Sequence, residues 1–453
     1  MPRHPLARSF LVAWISGYGC AVNPDFYAVD TGADSSGQDS SGMDSGVGPT
    51  DCVEPTLALD FEEGAADSRF TFYRDTAATY VNEQGRIQAI MAGRPRFEHA
   101  CGPTCDPAGL LVEPGSTNEA ASDLSVWTPT AAMLVESSET APDGTTSVVD
   151  LVDDAQDLEH MIEFAPDVWA DGEYWTFSAF AKAGTLTELR LFNASGQSYS
   201  IAHFSVLDGT LTSTNGGQGE FDTFVDAGSQ AWPDGWWRLW LTFHPPIGTK
   251  LILRLAPFKG GQWIYVGTGQ SLSLWGPQLE RGVVPTSFIP TLDAPPAVRG
   301  EDIAFLSSLD WLDPKRGTFV IEFSRVLAPM GDEWVFQLGD QTGASWIGVR
   351  ASAADKFAVT VQSGGVQQGM VEFPFTVSQR HRVAMSYGES SWATAVDGGP
   401  VESRSAIVMP SAFTKLDLGG STPASTKLHG HIATVHYYDC RRSDEQLRML
   451  SAP

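Results

Sequence analysis

In the run Trp236-Trp-Arg-Leu-Trp-Leu-Thr-Phe243, a strand sends Trp237, Leu239, Leu241 and Phe243 to one face and Trp236, Arg238, Trp240 and Thr242 to the other. If the odd set is core, two tryptophans flank an arginine on the outer face. Large exposed aromatics on a strand mark recognition surfaces. Indole rings stack on the apolar faces of sugar rings while a guanidinium donates to hydroxyls, the mix of flat apolar and placed polar groups that a small-ligand site needs. The same parity puts Phe180 and Lys182 opposite Phe177, Ala179 and Ala181, and puts Trp275 on the face of Ser271 and Ser273. Trp236, Arg238, Trp240, Phe180, Lys182 and Trp275 are therefore the expected ligand-binding set, and a glycan is the expected partner. A competing reading covers the same rings with loops or with a second domain, and parity alone does not choose between them.

Other constellations carry less chemistry. Glu220-Phe-Asp222 places two carboxylates on one strand face, but the third carboxylate of a glucanase-type strand is missing. No Gly-x-Ser-x-Gly elbow, His-Glu-x-x-His helix or phosphate-binding glycine loop occurs. The expectation is a protein without catalytic residues. His429 and His431 share a face while His436 has the opposite parity, so no three-ligand metal site follows and neither metal nor cofactor is expected. Asp34, Asp39 and Asp44 lack the alternate-position oxygens of a calcium loop. Cys101 and Cys105 are disulfide candidates, either with each other across Gly-Pro-Thr or with one of them joined to Cys52. A Cys-x3-Cys metal pair is the rival, and it lacks a second pair at zinc-like spacing.

The elements that must position these residues are strands. The 45 glycines and 28 prolines in 453 residues suit many turns, and 42% hydrophobic content supplies a core for two or three domains. A net charge of −27 repels phosphate backbones, which argues against a nucleic-acid partner. Basic residues Arg3, His4 and Arg8 precede the apolar run Phe10–Ile15, the layout of a secretory signal over residues 1–20. Cys20 after that run is a candidate for acylation, although Gly17 stands where a lipoprotein signal carries leucine. Residues 21–52 read as a solvated Ser/Asp/Gly linker. The expected protein is therefore secreted or anchored at the cell surface by lipid, with membrane contact only through that anchor. Its oligomeric state is left open.

Strand patterning then divides the chain into 53–292 and 300–453. Ser271-Leu-Ser-Leu274 alternates as a half-buried strand, Gly276-Pro277 is expected to break its ladder, and Pro285–Pro290 to leave as an extended connector. Beyond Pro295-Pro296, Phe319–Phe323, Phe357–Val361 and Arg382–Tyr387 alternate again, with a hairpin turn at Asp397-Gly398. Ser443 three residues before Gln446 predicts a capped terminal helix. The fold class read from these patterns is all-β, two antiparallel β-sandwiches in tandem behind a flexible linker.

Several of these words also resemble known modules. Phe70-Thr-Phe-Tyr-Arg74, Arg94-Pro-Arg96-Phe97, Gly109–Asn118, Ser122–Trp127, Tyr174–Gly184, Asp234–Leu239 and Gln270–Pro290 occur in the order found in the jelly-roll module of bacteriophage tail-fibre and head-spike proteins. Leu428–Leu447 is similar to the closing strand and helix of laminin-G-like, concanavalin-A-like domains, a match spanning about 303–452. Cys101-Gly-Pro-Thr-Cys105 departs from the phage-type pattern. The resemblance implies jelly-roll folds and binding at a surface, and it names no ligand. Together the readings point to a non-catalytic carbohydrate-binding protein. The alternatives are a structural or adhesion protein that binds other proteins and, further off, a glycoside hydrolase.

Overall fold

The computed structural model describes residues 53–453 except 65–66, 102–103, 196–197, 218–222, 292–294, 326–332, 341, 354 and 421–425. The expected signal, the linker, Cys20, Cys52, Glu220 and Asp222 lie outside the described residues. No described helix is long and apolar enough to cross a membrane.

Alternating apolar residues form strands that pair into two β-sandwiches. In the first, a six-stranded sheet orders Phe224–Trp232, Trp236–Phe243, Trp175–Lys182, Ser271–Arg281, Val149–Asp153 and Ala132–Glu136. Its partner sheet, also six-stranded, runs from Leu211–Gly216 through Ser198–Ser205, Glu188–Ser195, Leu253–Pro257 and Met161–Phe164 to Thr128–Thr130. Phe177, Leu239, Leu241 and Phe243 from the first sheet meet Leu191 and Leu255 from the second in one core. The odd positions of Trp236–Phe243 point inward as parity requires, Trp237 packing against this core while only partly buried.

The second sandwich is built from two eight-stranded sheets around the core of Phe319, Ile321, Phe336, Val359, Tyr387 and Trp392. Its strands are not confined to the C-terminal half. Leu57–Asp60 and Cys105–Val112 both pair antiparallel with Gly430–Tyr438, and Phe70–Tyr73 pairs with Ile303–Leu306. The sheets thus cross the boundary drawn at 53–292 and 300–453. The first sandwich is inserted within the second rather than standing in tandem before it. Alternation in 57–59 and 110–112 identifies strands, but not the distant ladder whose N–H and C=O groups they must satisfy.

Local expectations at the turns fare differently. Asp397 and Gly398 have φ of 51° and 70°, the positive values a tight hairpin demands. Ser443 caps Asp444–Leu450, and Gln446 reciprocates. Gly276-Pro277, by contrast, does not end the ladder. Ser271–Arg281 is continuous, and the two residues form a bulge opposite Ser178–Phe180, where pairing jumps from Gln278 to Trp275. Gly276 takes φ 58° there, which lets the strand re-aim without a break.

A buried charge cluster joins the two sandwiches. Asp302 pairs with Arg74 at 3.0 Å and with Arg96, and Glu113 pairs with Arg96 at 2.8 Å and Arg299 at 3.3 Å. Glu113 also accepts from the backbone and side chain of Ser287, at 2.8 and 2.7 Å, and meets His429 Nε2 at 3.1 Å. Ser287 belongs to the connector leaving the inserted sandwich, and His429 immediately precedes the strand Gly430–Tyr438. Burial opposes charge on Glu113. Arg299, Arg96 and the His429 hydrogen bond outweigh it and hold the carboxyl well below its ordinary value of 4.5. A depressed native value means the contribution is present above pH 4.5 and is lost as pH falls below it. Glu113→Gln should therefore cost about 3–5 kcal/mol at neutral pH, because Arg96 and Arg299 are left short of a counter-charge. In urea denaturation at stepped pH, the gap between variant and wild type should narrow as pH drops below 4.5. A pH-independent gap would refute this account.

Candidate functional site

The structure does not present the expected residues as an open platform. Trp236 is fully buried and its indole N–H donates to the Thr140 carbonyl at 3.0 Å. Phe180 is also fully buried, edge-on to Trp232 at 5.2 Å and to Trp275 at 5.3 Å. Trp275 donates to Ser147 Oγ at 2.9 Å, and Lys182, half-buried, pairs with Glu139 at 2.6 Å. Ile87, Ala141, Val148 and Phe288 close over these rings and make a second small core on the outer face of the sheet. Burial of the two faces at this end of the strand is the reverse of expectation. Trp237 is only partly buried, its ring lying against Gly209, whereas Trp236 is sealed. The strand Trp236–Phe243 sits inside its sheet with both faces covered, which alternation within one strand cannot reveal.

The covering is incomplete around Trp240 and Arg238. With Phe180 they line a cavity of about 350 Å³ between the outer faces of the two sandwiches. Trp232, Phe288 and the connector residues Thr286 and Ser287 complete the wall on the inserted side. Glu98, His99, Leu111, His429 and His431 supply the other. Gln230, Ala100, Val377 and Ser378 are exposed lining residues and mark where the cavity meets solvent. Trp236, Lys182 and Trp275 are not among the lining residues.

Each wall is held by a specific device. The Trp240 ring lies across Gly228 on the neighbouring strand, so close that a Cβ there would stand 2.3 Å from it. An isolated glycine inside a strand is a signal for such a close approach. It was the available pointer to Trp240's placement. Arg238 donates to the Thr286 carbonyl at 2.7 Å and to Ser178 Oγ at 3.2 Å, with its guanidinium 5.5 Å from the Phe180 ring centroid. Burial lowers its pKa, against the opposing charges of Glu280, Glu113 and Glu98. Glu98 accepts from the Val81 backbone at 3.0 Å and meets His431 Nε2 at 2.7 Å. His429 and His431 are thus carboxylate partners within the second sandwich. Cys101 and Cys105 are disulfide-bonded to each other, which excludes the alternative staple to Cys52. They join adjacent strands at the rim and pack on Gly85, where a Cβ would stand 3.0 Å from Cys105 Sγ and 2.4 Å from Pro233.

Four lining residues each carry a polar atom that is buried without a hydrogen-bond partner among the described residues: Trp232 Nε1, Trp240 Nε1, Arg238 Nε and His99 Nδ1. Buried polar groups are nearly always partnered, and these four atoms have almost no accessible surface, so they sit behind the cavity wall rather than on it. Trp232, His99, Glu98 and His431 were missed at the level of sequence. They lie on segments whose proximity depends on long-range pairing.

No protein-family model and no curated protein matches this chain. Among solved structures, it is similar to a Ruminococcus gnavus sialidase CBM40 bound to α2,3-sialyllactose, at 14% identity over 30% of this chain and 83% of that one, TM-score 0.27. It is also similar to domain 4 of the Geobacillus stearothermophilus arabinanase AbnA in complex with arabinotriose, at 13% identity over 37% and 82%, TM-score 0.28. Sheep galectin-11 aligns at 15% identity over 27% and 88%, TM-score 0.18. At these scores the likenesses assign nothing to individual residues or to activity.

The two covered faces make separable predictions. Trp236→Ala should lower stability by ~3–5 kcal/mol, because it empties a sealed site. Gly228→Ala should cost ~1–3 kcal/mol by overpacking and must displace Trp240. Chemical denaturation of the two variants checks both. A Gly228→Ala protein as stable as wild type with Trp240 unmoved in a crystal structure would show that the strand yields instead of the ring.

Proposed function

We propose that this protein is a non-catalytic carbohydrate binder whose site is the cleft between its two sandwiches. The carrying observation is the lining: the indoles of Trp232 and Trp240 with Arg238 and His99 around a cavity of about 350 Å³. That volume falls at the lower end of small-ligand pockets, which suits a short saccharide. Indole rings supply flat apolar surface for a sugar ring, and Arg238 and Gln230 are polar residues on the same lining. The two carboxylates among the described lining residues have other partners, which supports the non-catalytic reading. Glu113 is committed to Arg96, Arg299, Ser287 and His429, and Glu98 to Val81 and His431. The resemblance to the phage-fibre module supports surface recognition in the same direction. For Trp236 and Trp275 the scaffolding reading applies, since both are buried and neither lines the cleft.

Export belongs to this proposal as well. Basic residues followed by Phe10–Ile15 and Cys20 support a secreted or lipid-anchored surface protein. Cys20→Ser should move the protein from the membrane to the soluble fraction, and unchanged fractionation would remove the anchor from the proposal.

A glycan array with residues 1–453 should return bound saccharides, and Trp240→Ala should weaken that binding by about tenfold or more, since stacking on one aromatic is worth ~1–3 kcal/mol in the related base-stacking case. Thermal melting of the same variant separates loss of the site from loss of the fold. Undiminished binding in a folded Trp240→Ala protein would take the site away from the cleft.

A further inference from the structure

We infer that the outer face of the second sheet of the inserted sandwich, on the side away from the cleft, is a separate site for a neutral oligosaccharide. Alternation builds this face. Leu189, Leu191, Leu253 and Leu255 point into the core, so Arg190, Phe192 and Arg254 point outward from the same two strands. Phe192 and Arg254 are direct cross-strand partners, and Glu163 stands opposite Arg254 on the next strand. The Phe192 ring has the Arg190 guanidinium at 5.5 Å and the Arg254 guanidinium at 5.3 Å, and it meets Tyr199 edge-on at 6.1 Å. Trp263 comes from the connection that follows Leu253–Pro257, its ring centroid 5.8 Å from the Arg190 guanidinium. Pairing of Asp157–Leu158 with Tyr265–Val266 holds that connection in place, and His160 Nε2 meets the Tyr265 carbonyl at 2.8 Å.

Accessible groups carry the site. Trp263 is 50% exposed. Arg254 Nε donates to Glu163 Oε2 at 2.7 Å, with the two side chains 24% and 32% exposed. The terminal nitrogens of Arg254 and the second oxygen of Glu163 have no hydrogen-bond partner among the described residues and are not sealed. A guanidinium only donates and a carboxylate only accepts. A sugar hydroxyl does both, so this pair answers it in both directions, and the Trp263 indole offers flat apolar surface to a ring's C–H face. Arg190 is the support beneath. It is buried and paired with Glu159, and burial followed by the Arg254 charge brings its pKa down to about 10, which leaves it charged at neutral pH.

Charge selects the occupant. Each arginine here has its own glutamate, so the face offers no net charge to a polyanion or a polycation. The net charge of −27 does not repel a neutral ligand. Protein interfaces are depleted of charged residues at their cores, whereas this face has two ion pairs in its middle. A run of contacts from Trp263 through Arg190 and Phe192 to Arg254 suits several linked sugars better than one.

The test is calorimetric titration of the full chain with cellohexaose, xylohexaose, mannohexaose and maltohexaose. At least one should bind, lose about tenfold or more of its affinity in Trp263→Ala, and keep its affinity in Trp240→Ala, which alters only the cleft. Trp263 is half exposed on a connection, so the variant should melt as wild type does, and Trp263→Phe should retain most of the binding. Hexasaccharide binding that falls with Trp240→Ala and is untouched by Trp263→Ala would overturn the second site and leave the cleft standing. Failure of all four to bind the wild-type chain, even with a protein partner captured on this face, would also overturn it, while the array decides the cleft separately.

Discussion

Buried charge fixes the relation of the two sandwiches. Asp302 and Glu113 are surrounded by Arg74, Arg96 and Arg299, all with side chains at most 2% exposed. Apolar residues of equal volume could give equal or greater stability, since desolvating charges offsets much of their attraction. An ion cluster adds direction: each carboxylate must meet particular N–H groups, so the segments carrying them cannot slide. Arg74, Arg96 and Glu113 come from the N-terminal segment, Arg299 and Asp302 from the return into the second sandwich, and Ser287 from the connector between them. The insertion is closed at its neck by these contacts.

The cleft is a consequence of that closure. Two sheets that meet through a fixed polar neck cannot also press their outer faces together everywhere. Where they meet, Phe180, Trp275 and Phe288 fill the space as an accessory core. Where they part, Trp232, Trp240 and Arg238 face Glu98, His99 and His431 across the gap. Gly228 lets the Trp240 ring approach its neighbouring strand where any Cβ would collide with it. The disulfide Cys101–Cys105 ties the ends of two strands at the rim, against the turn at Gly85.

Much of the fold was written locally. Alternation in Trp236–Phe243 and Phe319–Phe323, the Asp397-Gly398 turn, the Ser443 cap and the Cys101–Cys105 pair each depend on residues a few positions apart, and each is present in the structure. Parity also isolated Phe180, Arg238 and Trp240 as a set sharing one face, and these three do line the same cavity. What parity could not give was what lies above that face. Trp236 and Trp275 share it and are sealed, because Ile87, Ala141, Val148 and Phe288 arrive from elsewhere in the chain.

The sequence by itself determined strands, turns, the helix cap and the two faces of each strand, because these follow from backbone sterics and side-chain period. Tertiary structure alone decided that Leu57–Asp60 and Cys105–Val112 would both pair with the distant Gly430–Tyr438. It also decided which aromatics would be core and which would line a cleft. Backbone hydrogen-bonding groups are the same at every residue, so a strand's pattern does not encode its partner. That choice is made by the global packing of apolar faces and by the few buried charges that must find one another.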